Sequence, residues 1–174
     1  RDARVTMLGL VPSIVKAWRR TGCMAGLDWS SLRCFSSTGE ASNPEDSHWL
    51  SARVRGYRPV VEYCGGTELA GGYITGSLAQ PQAPSAFSTP AMGADLRLLD
   101  AEQRLLPATG VEEGEVAIRP PMFGASHRLL NRDHDSVYFR GMPEDGDGRR
   151  LRRHGDGLAR LGGGYWRATG RTDD

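Results

Sequence analysis

The sequence predicts a mixed fold, a partial α/β sandwich layer followed by a distorted antiparallel β-barrel. Three observations predict it. The first third of the 174 residues alternates helical and strand patterns. Residues 79–91 are rich in Pro, Ala and Ser and have no period, which is typical of a boundary between subdomains. Beyond them, short strand-like runs are separated by Gly, Pro and Asp, as in β-rich domains.

The first third contains two helix signals. Pro12 suits the first position of a helix that Thr21-Gly22 would end. Asn43 suits the cap of a second helix, because a proline and two acidic residues follow it directly. Gly56 is expected to end that second helix.

Strands are predicted on both sides of the second helix, at residues 32–37 and 59–63. Strand, helix and strand with short connections predict a parallel pair. Six further strands are predicted at residues 94–99, 115–119, 137–140, 151–154, 158–161 and 165–169. We therefore divide the chain into an α/β segment at residues 1–84 and a β segment at residues 85–174.

Composition excludes several classes of protein. The 22 basic and 21 acidic residues give a net charge of +1, so no overall field attracts nucleic acid or anionic lipid. No run approaches the roughly 20 apolar residues of a membrane span. The three cysteines are odd in number and form no CxxC pair. They argue against a disulfide framework or a structural zinc site and favour a reducing, intracellular compartment.

The sharpest motif is EYCGGTE at residues 62–68, at the end of a predicted parallel strand. Ligands of open α/β sheets bind beyond the carboxyl ends of the strands. Two glycines let the backbone approach a ligand closely, and the neighbouring Thr67 and Glu68 suit a phosphate and its magnesium ion. The alternative is a plain strand-to-loop turn in which Thr67 caps a following helix.

Two other positions are candidates for nucleotide contacts. Asp156 follows a glycine in the β region, and its carboxylate can accept two hydrogen bonds from a ribose diol. Its alternative is an ordinary turn aspartate. Gly39 and Glu40 follow a predicted strand and could line a nucleotide pocket or form a simple turn.

Five motifs occur in one order along the chain: STGE at 37–40, EYCGGTE at 62–68, GEVAIRPP at 114–121, RRHGDGLAR at 152–160 and GRTDD at 170–174. The ordered set resembles the adenylate-forming, AMP-binding acyl-CoA synthetase superfamily. The finer resemblance is to the acetyl-CoA-synthetase-like acyl-activating enzymes of plants and algae, several of which are assigned to peroxisomes. The chain would then be part of the large domain of such an enzyme.

The resemblance implies a role for each matched residue. Thr67 and Glu68 would be catalytic, with Thr67 on the α-phosphate and Glu68 holding Mg²⁺. The implied nucleotide-binding residues are Gly39, Glu40, Glu62, Tyr63, Cys64, Gly65, Gly66, Thr67, Asp156 and Arg171. Within that set Tyr63 would lie against adenine, and Asp156 would bind the ribose hydroxyls. Asp173 would be the hinge to a small C-terminal domain.

The implied reaction has two halves. A carboxylic acid and ATP give an acyl-adenylate and pyrophosphate, and CoA then takes the acyl group. The identity of the acid is not readable, although the small wall at residues 64–66 leaves room for more than acetate. The resemblance implies a peroxisomal or cytoplasmic location, and the balanced charge argues against a nucleic-acid partner.

The sequence departs from the family pattern at several points. There is one extra residue between Tyr63 and Thr67, and His154 stands where the family has threonine. Lys16 is the sole lysine, and it lies in a predicted helix before the motifs. We expect the family's phosphate-loop and catalytic lysines outside these 174 residues, so this piece alone should not form an adenylate. The alternative is a non-catalytic or truncated homologue that at most binds adenine nucleotide.

Overall fold

The computed structural model describes residues 3–173. Arg1 and Asp2 of the predicted α/β segment, and Asp174 of the last motif, lie outside the described residues. The elements of the described part run in this order: β1 (Met7–Leu10), α1 (Pro12–Thr21), β2 (Cys34–Ser37), α2 (Pro44–Ser51), β3 (Val60–Gly66), β4 (Gly71–Thr75), β5 (Thr89–Pro90), β6 (Leu96–Leu99), β7 (Glu112–Ile118), α3 (His134–Tyr138), β8 (Arg152–Arg160) and β9 (Trp166–Arg171).

The first sheet has five strands in the order β1-β2-β3-β4-β5. Strands β1, β2 and β3 are parallel, and Phe35 of β2 lies opposite Val60 of β3. The predicted parallel pair is therefore confirmed. Strands β4 and β5 extend the sheet in antiparallel fashion, so the glycine-rich motif at the end of β3 faces a hairpin partner.

Both predicted helix starts are confirmed. Helix α1 begins at Pro12, and Gly22 ends it in the left-handed conformation at φ 64°. The side chain of Asn43 caps α2 by accepting a hydrogen bond of 2.9 Å from the Asp46 N–H. Helix α2 ends at Ser51 rather than near Gly56, because the Ser51 carbonyl accepts from the Arg58 N–H as the chain turns back.

The second sheet is antiparallel, in the order β6-β7-β8-β9. The predicted β region is thus confirmed, but the barrel is not closed within residues 3–173, because β6 and β9 are the outer strands. A bridge joins the two sheets where the Phe87 N–H donates to the Trp166 carbonyl at 2.8 Å and the Trp166 N–H donates back at 2.9 Å.

Three of the predicted strands differ from the structure. Residues 137–140 do not form a strand, because Asp133 accepts from the Ser136 N–H at 2.8 Å and caps α3 over this region. The two strands predicted at residues 151–154 and 158–161 are replaced by the single strand β8, which runs from Arg152 to Arg160. Strand β8 bulges there, since residues 154–156 lie opposite the single residue Val116 of β7.

Two main apolar clusters hold the fold. One packs α1 and α2 on β1–β3, around Phe35 and Leu50. The other packs β4 against the second sheet, and its members include Tyr73, Leu98, Val116 and Leu158. None of the helices in residues 3–173 has the length and apolar composition of a membrane-spanning helix. The division at residue 85 stays a prediction.

Candidate functional site

A cleft of about 220 Å³ opens between the ends of β2 and β3 and the hairpin formed by β8 and β9. Strands of both sheets therefore contribute to its wall. Eight of the residues predicted to bind nucleotide line it: Gly39, Glu40, Glu62, Tyr63, Cys64, Gly65, Asp156 and Arg171. This arrangement brings residues more than 130 positions apart in the chain, such as Gly39 and Arg171, to one concave surface.

Glu40 lies on one wall of the cleft and is tied to the start of α1. Its two carboxylate oxygens accept from the Ser13 N–H at 3.0 Å and from the Ser13 hydroxyl at 2.8 Å. A carboxylate is stabilised at a helix N-terminus, because the first N–H groups of a helix have no partner within it. Gly39 turns the chain into this position at φ 89°, a conformation that side chains disfavour.

Glu62 is a buried acid on β3 at the floor of the cleft. One of its oxygens accepts from the Ser42 hydroxyl at 2.9 Å. Burial raises the pKa of Glu62 to about 7, although the hydroxyl of Ser42 partly opposes the shift. Near neutral pH this side chain is therefore divided between a charged acceptor and a neutral donor.

Gly65 lies where the register between β3 and β4 shifts. A Cβ atom at this position would lie 2.1 Å from the Gly71 carbonyl oxygen and 2.5 Å from the Gly72 Cα. Both neighbours are backbone atoms, so the two strands could not stay paired around a side chain here. Tyr63, two residues earlier, is 40% exposed at the mouth of the cleft.

Thr67 and Glu68 begin a single 3₁₀ turn directly after β3. Gly66 caps that turn without a side-chain hydrogen bond, so the alternative in which Thr67 serves as the cap is wrong. The Glu68 carboxylate folds back on Gly66, and both of its oxygens lie 2.3 Å from where a Cβ of residue 66 would be. Thr67 itself is exposed.

Asp156 is the most heavily contacted acid of the cleft. Its Oδ2 accepts from the Tyr73 hydroxyl at 2.8 Å and from the Cys64 thiol at 3.2 Å, and it lies 2.9 Å from His154 Nε2. Its Oδ1 accepts from Arg171 at 2.8 Å. Burial would raise the pKa of Asp156, but the contacts with His154, Tyr73 and Cys64 outweigh it and hold that pKa well below its usual range.

His154 connects the two acids that the sequence motifs single out. Its side chain is 1% exposed, with Glu68 Oε1 at 3.4 Å from Nδ1 and Asp156 Oδ2 at 2.9 Å from Nε2. Neither ring nitrogen makes a well-aligned hydrogen bond to any residue in 3–173. Glu68 and Asp156, 88 residues apart, thus lie on opposite edges of one buried imidazole.

The Arg171 guanidinium bridges two acids at the edge of the cleft. It donates to Asp156 and, through Nε at 2.8 Å, to Asp173. The hydrogen bonds with Asp173, followed by those with Asp156, raise the pKa of Arg171 despite partial burial. Asp173 therefore joins the cleft through Arg171, although its role as a hinge stays a prediction.

Sequence reasoning missed Tyr73. It is 0% exposed, and its ring lies edge-on to His154 with centroids 4.6 Å apart. A tyrosine in the short run Gly71–Thr75 carries no motif, so only the pairing of β4 beside β3 could have placed it behind the cleft.

A family model described as "AMP-binding enzyme" matches residues 1–125 of this chain. The chain belongs to the AMP-binding enzyme family. It is 52% identical over 174 residues to "Probable acyl-activating enzyme 17, peroxisomal" of Arabidopsis thaliana, and 51% identical over the same length to "Hexanoyl-CoA synthase" of Cannabis sativa. In both cases all of this chain matches 24% of the relative. The chain thus spans about a quarter of these curated relatives.

Solved structures share the fold of this chain. The "Acetoacetyl-CoA Synthetase from Streptomyces lividans" matches 98% of this chain and 26% of its own, with a TM-score of 0.78 and 25% identity. An anthranilate CoA ligase in complex with anthranoyl-AMP gives a TM-score of 0.79 at 23% identity, covering 98% of this chain and 30% of its own. The expected resemblance to plant acyl-activating enzymes and acyl-CoA synthetases is confirmed.

Proposed function

We propose that this chain is the nucleotide-binding part of an AMP-forming acyl-CoA ligase. Such an enzyme joins a carboxylic acid to the α-phosphate of ATP, releases pyrophosphate and then transfers the acyl group to CoA. The observation that carries the proposal is that Asp156, which lines the cleft, and Glu68, which lies outside its lining, are on opposite edges of His154. A bound nucleotide needs one protein group near its phosphates and another near its ribose, and Glu68 and Asp156 are the proposed pair.

Asp156 is the proposed ribose anchor. Four protein groups contact its carboxylate, and Oδ1, with its single partner Arg171, is the oxygen with acceptor capacity left for a hydroxyl. Since contacts with its neighbours hold the pKa of Asp156 low, it stays an acceptor throughout the physiological range. Arg171, beside it, supplies a positive charge to the ribose or the phosphates.

Thr67 and Glu68 are the proposed phosphate and magnesium contacts. The exposed Thr67 hydroxyl can donate to a phosphate oxygen. Mg²⁺ is usually held by one or two carboxylates together with substrate phosphates, and the 28% exposed Glu68 side chain fits that part. When bound, Mg²⁺ would offset the negative charge that develops as a carboxylate approaches the α-phosphate.

The acyl substrate is proposed to be larger than acetate. Gly65 lines the cleft and cannot carry a side chain, because β4 lies directly behind it. The wall between nucleotide and acyl group is therefore low at this point. The hexanoyl-CoA synthase name of one relative is consistent with a medium-length acid.

The location is proposed to be intracellular, peroxisomal or cytoplasmic. Two Arabidopsis relatives carry the word peroxisomal in their names. The described cysteines Cys23, Cys34 and Cys64 are free thiols, which is consistent with a reducing compartment.

Replacement of Asp156 by alanine tests the proposal. In the full-length protein, Asp156→Ala should lower kcat/KM for ATP roughly 10- to 100-fold, the effect of one lost hydrogen bond to a charged group. Pyrophosphate release with a panel of carboxylic acids is the measurement, and AMP binding by calorimetry gives the affinity. The matched control is Asp135→Ala, since Asp135 is 81% exposed on α3.

The outcomes separate the two functions that the sequence leaves open. An activity that survives Asp156→Ala within about twofold would contradict the ribose role. AMP binding without pyrophosphate release for any acid would favour a non-catalytic homologue. If the unmodified protein shows no AMP binding and no pyrophosphate release, the proposed function as a whole is refuted.

A further inference from the structure

We propose that Tyr73 is a positioning residue that fixes which oxygen of Asp156 faces the nucleotide. The inference rests on the proposed function. Tyr73 does not line the cleft; it is fully buried in β4, behind Asp156. Its hydroxyl donates to Asp156 Oδ2 at 2.8 Å. It therefore acts on the nucleotide through Asp156 and not by contact.

The partners of the two Asp156 oxygens are unequal. A carboxylate oxygen has about two lone-pair positions. Oδ2 accepts from the Tyr73 hydroxyl and the Cys64 thiol and lies within 2.9 Å of His154 Nε2, so the protein already fills it. Oδ1 has Arg171 as its partner. The carboxylate is thus held with its one under-used oxygen toward the cleft.

Tyr73 and Cys64 are permanent donors. Burial raises the pKa of Tyr73 far above its ordinary value, with the nearby Cys64 and Asp156 adding to the effect. Burial also raises the pKa of Cys64 to about 12. Both groups keep their protons throughout the physiological range, and the two are 3.2 Å apart. Asp156 Oδ2 therefore meets the same two donors at every working pH.

The position of Tyr73 is itself rigid. Its ring belongs to the apolar cluster that packs β4 against the second sheet, together with Leu69 and Leu158. One edge of the ring lies against His154. The hydrogen bond from Tyr73 to Asp156 thus links the first sheet to β8 of the second, and the acid cannot rotate without breaking it. A binding side chain keeps its geometry when packing and hydrogen bonds fix the conformation of the residues that support it.

Removal of the hydroxyl alone is the test. In the full-length protein, Tyr73→Phe should raise the KM for ATP about tenfold, as expected for one lost hydrogen bond to a charged group, while kcat changes less than about threefold. The matched control is Tyr165→Phe. The Tyr165 hydroxyl donates to the Pro81 carbonyl at 2.8 Å, and Tyr165 lies just before β9, at the end away from Arg171. This control should leave the KM for ATP within twofold.

Cys64 offers a second test that keeps the tyrosine. Cys64→Ser retains a donor toward Asp156 and Cys64→Ala removes it, so the KM for ATP should be severalfold higher in Cys64→Ala than in Cys64→Ser. Equal values for the two variants would contradict the inference. Because the Tyr73 hydroxyl and the Cys64 thiol donate to the same Asp156 Oδ2, this pair of variants tests whether donors to that oxygen position the carboxylate when Tyr73→Phe does not fold.

A double variant separates this inference from the proposed function. If Tyr73 acts through Asp156, then Tyr73→Phe should change AMP affinity less than twofold when Asp156→Ala is already present. A tenfold effect in that background would show a structural role and overturn the inference. If Asp156→Ala alone leaves AMP affinity unchanged, the proposed ribose role of Asp156 and the inference both fail, whereas the wider proposed function still depends on the AMP binding and pyrophosphate release of the unmodified protein. If Asp156→Ala weakens AMP binding and Tyr73→Phe does not, the inference alone fails.

Discussion

The two sheets contribute different kinds of group to the cleft. The first sheet contributes space and backbone, because β3 ends in two glycines that lie close to β4 and to Glu68. The second sheet contributes fixed charge, because the bulge of β8 carries Asp156 and Arg171 of β9 holds it by an ion pair. Substitutions in the two sheets should therefore act in different ways. In the first sheet they should cause steric conflict with the backbone, and in the second sheet they should remove charge from the cleft.

The two halves of the molecule also hold acids whose pKa values are shifted in opposite directions, one in the cleft and one outside its lining. Glu62 of β3 is buried with a hydroxyl for a partner, and its pKa is raised. Asp145, in the second half, faces the Arg119 guanidinium, which lowers its pKa to about 2. One sheet thus holds an acid that resists ionisation, whereas the region around the other holds an acid that stays ionised.

The largest expected effect is a loss of stability on the first-sheet side. Gly65→Ala should lower the free energy of unfolding by about 3 kcal/mol, at the upper end for an overpacked position. The reason is that the added Cβ meets the backbone of Gly71 and Gly72, which cannot rotate away. Urea unfolding followed by circular dichroism measures it.

Gly71→Ala is the matched control for that comparison. It lies in the partner strand β4, and a Cβ there meets nothing within 4 Å. It should lower the free energy of unfolding by less than about 1 kcal/mol. Equal losses for the two variants would mean that the close approach of β3 and β4 is not what requires glycine at position 65.

Sequence patterns predict the first sheet better than the second. Asn43 and Pro12 signal their helices directly, because caps and first turns are local chemistry. The predicted break in β8 is wrong because Gly155 and Gly157 are read as turn residues. Gly155 is required for another reason: its φ of 85° lies in the left-handed region that side chains disfavour.

At the candidate site, too, local motifs are predictable from the sequence and contacts between distant elements are not. Ordered motifs predict the residues that converge on the cleft, since eight of them line it. Sequence patterns do not predict that His154 bridges Glu68 and Asp156, or that Tyr73 lies behind them. Those contacts depend on how β4 of one sheet packs on β8 of the other, and that packing has no local signal.

The next effect in size is a pH dependence that should differ in sign between the two acids. The folded pKa of Glu62, about 7, lies above the ordinary 4.5. The stability that this shift contributes is present below pH 4.5 and is lost as the pH rises through 7. Relative to Glu62→Gln, the unmodified chain should therefore lose on the order of 2 kcal/mol between pH 4.5 and 8.

Asp145→Asn should show the opposite trend. The pKa of Asp145 lies below its ordinary 3.8, chiefly because of the Arg119 hydrogen bond. Its contribution is present above pH 3.8 and is lost as the pH falls toward 2. Thermal unfolding of each variant and of the unmodified chain from pH 3 to pH 8 gives both trends. Differences that do not vary with pH would contradict the contrast between the two acids.

A smaller effect should appear in function alone. Gly66→Ala places a Cβ 2.3 Å from both Glu68 oxygens, so the carboxylate must swing away from His154. Because a flexible side chain can do this, the unfolding temperature should hardly change. If the proposed magnesium role of Glu68 is right, the KM for magnesium-ATP should rise about fivefold, a change of about 1 kcal/mol. Gly71→Ala serves again as the control, and an unchanged KM would argue against that role.

The smallest expected effect concerns the cap of α2, a residue outside the lining of the cleft. Asn43→Ala removes the cap that accepts from the Asp46 N–H and should lower the free energy of unfolding by about 1 kcal/mol. The exposed Asn131 provides the control Asn131→Ala. Leu50 of α2 belongs to the cluster on β1–β3, whereas Tyr73 belongs to the cluster that joins the sheets. The KM for ATP should therefore stay unchanged in Asn43→Ala, and a shift in it would mean that the two clusters do not act independently.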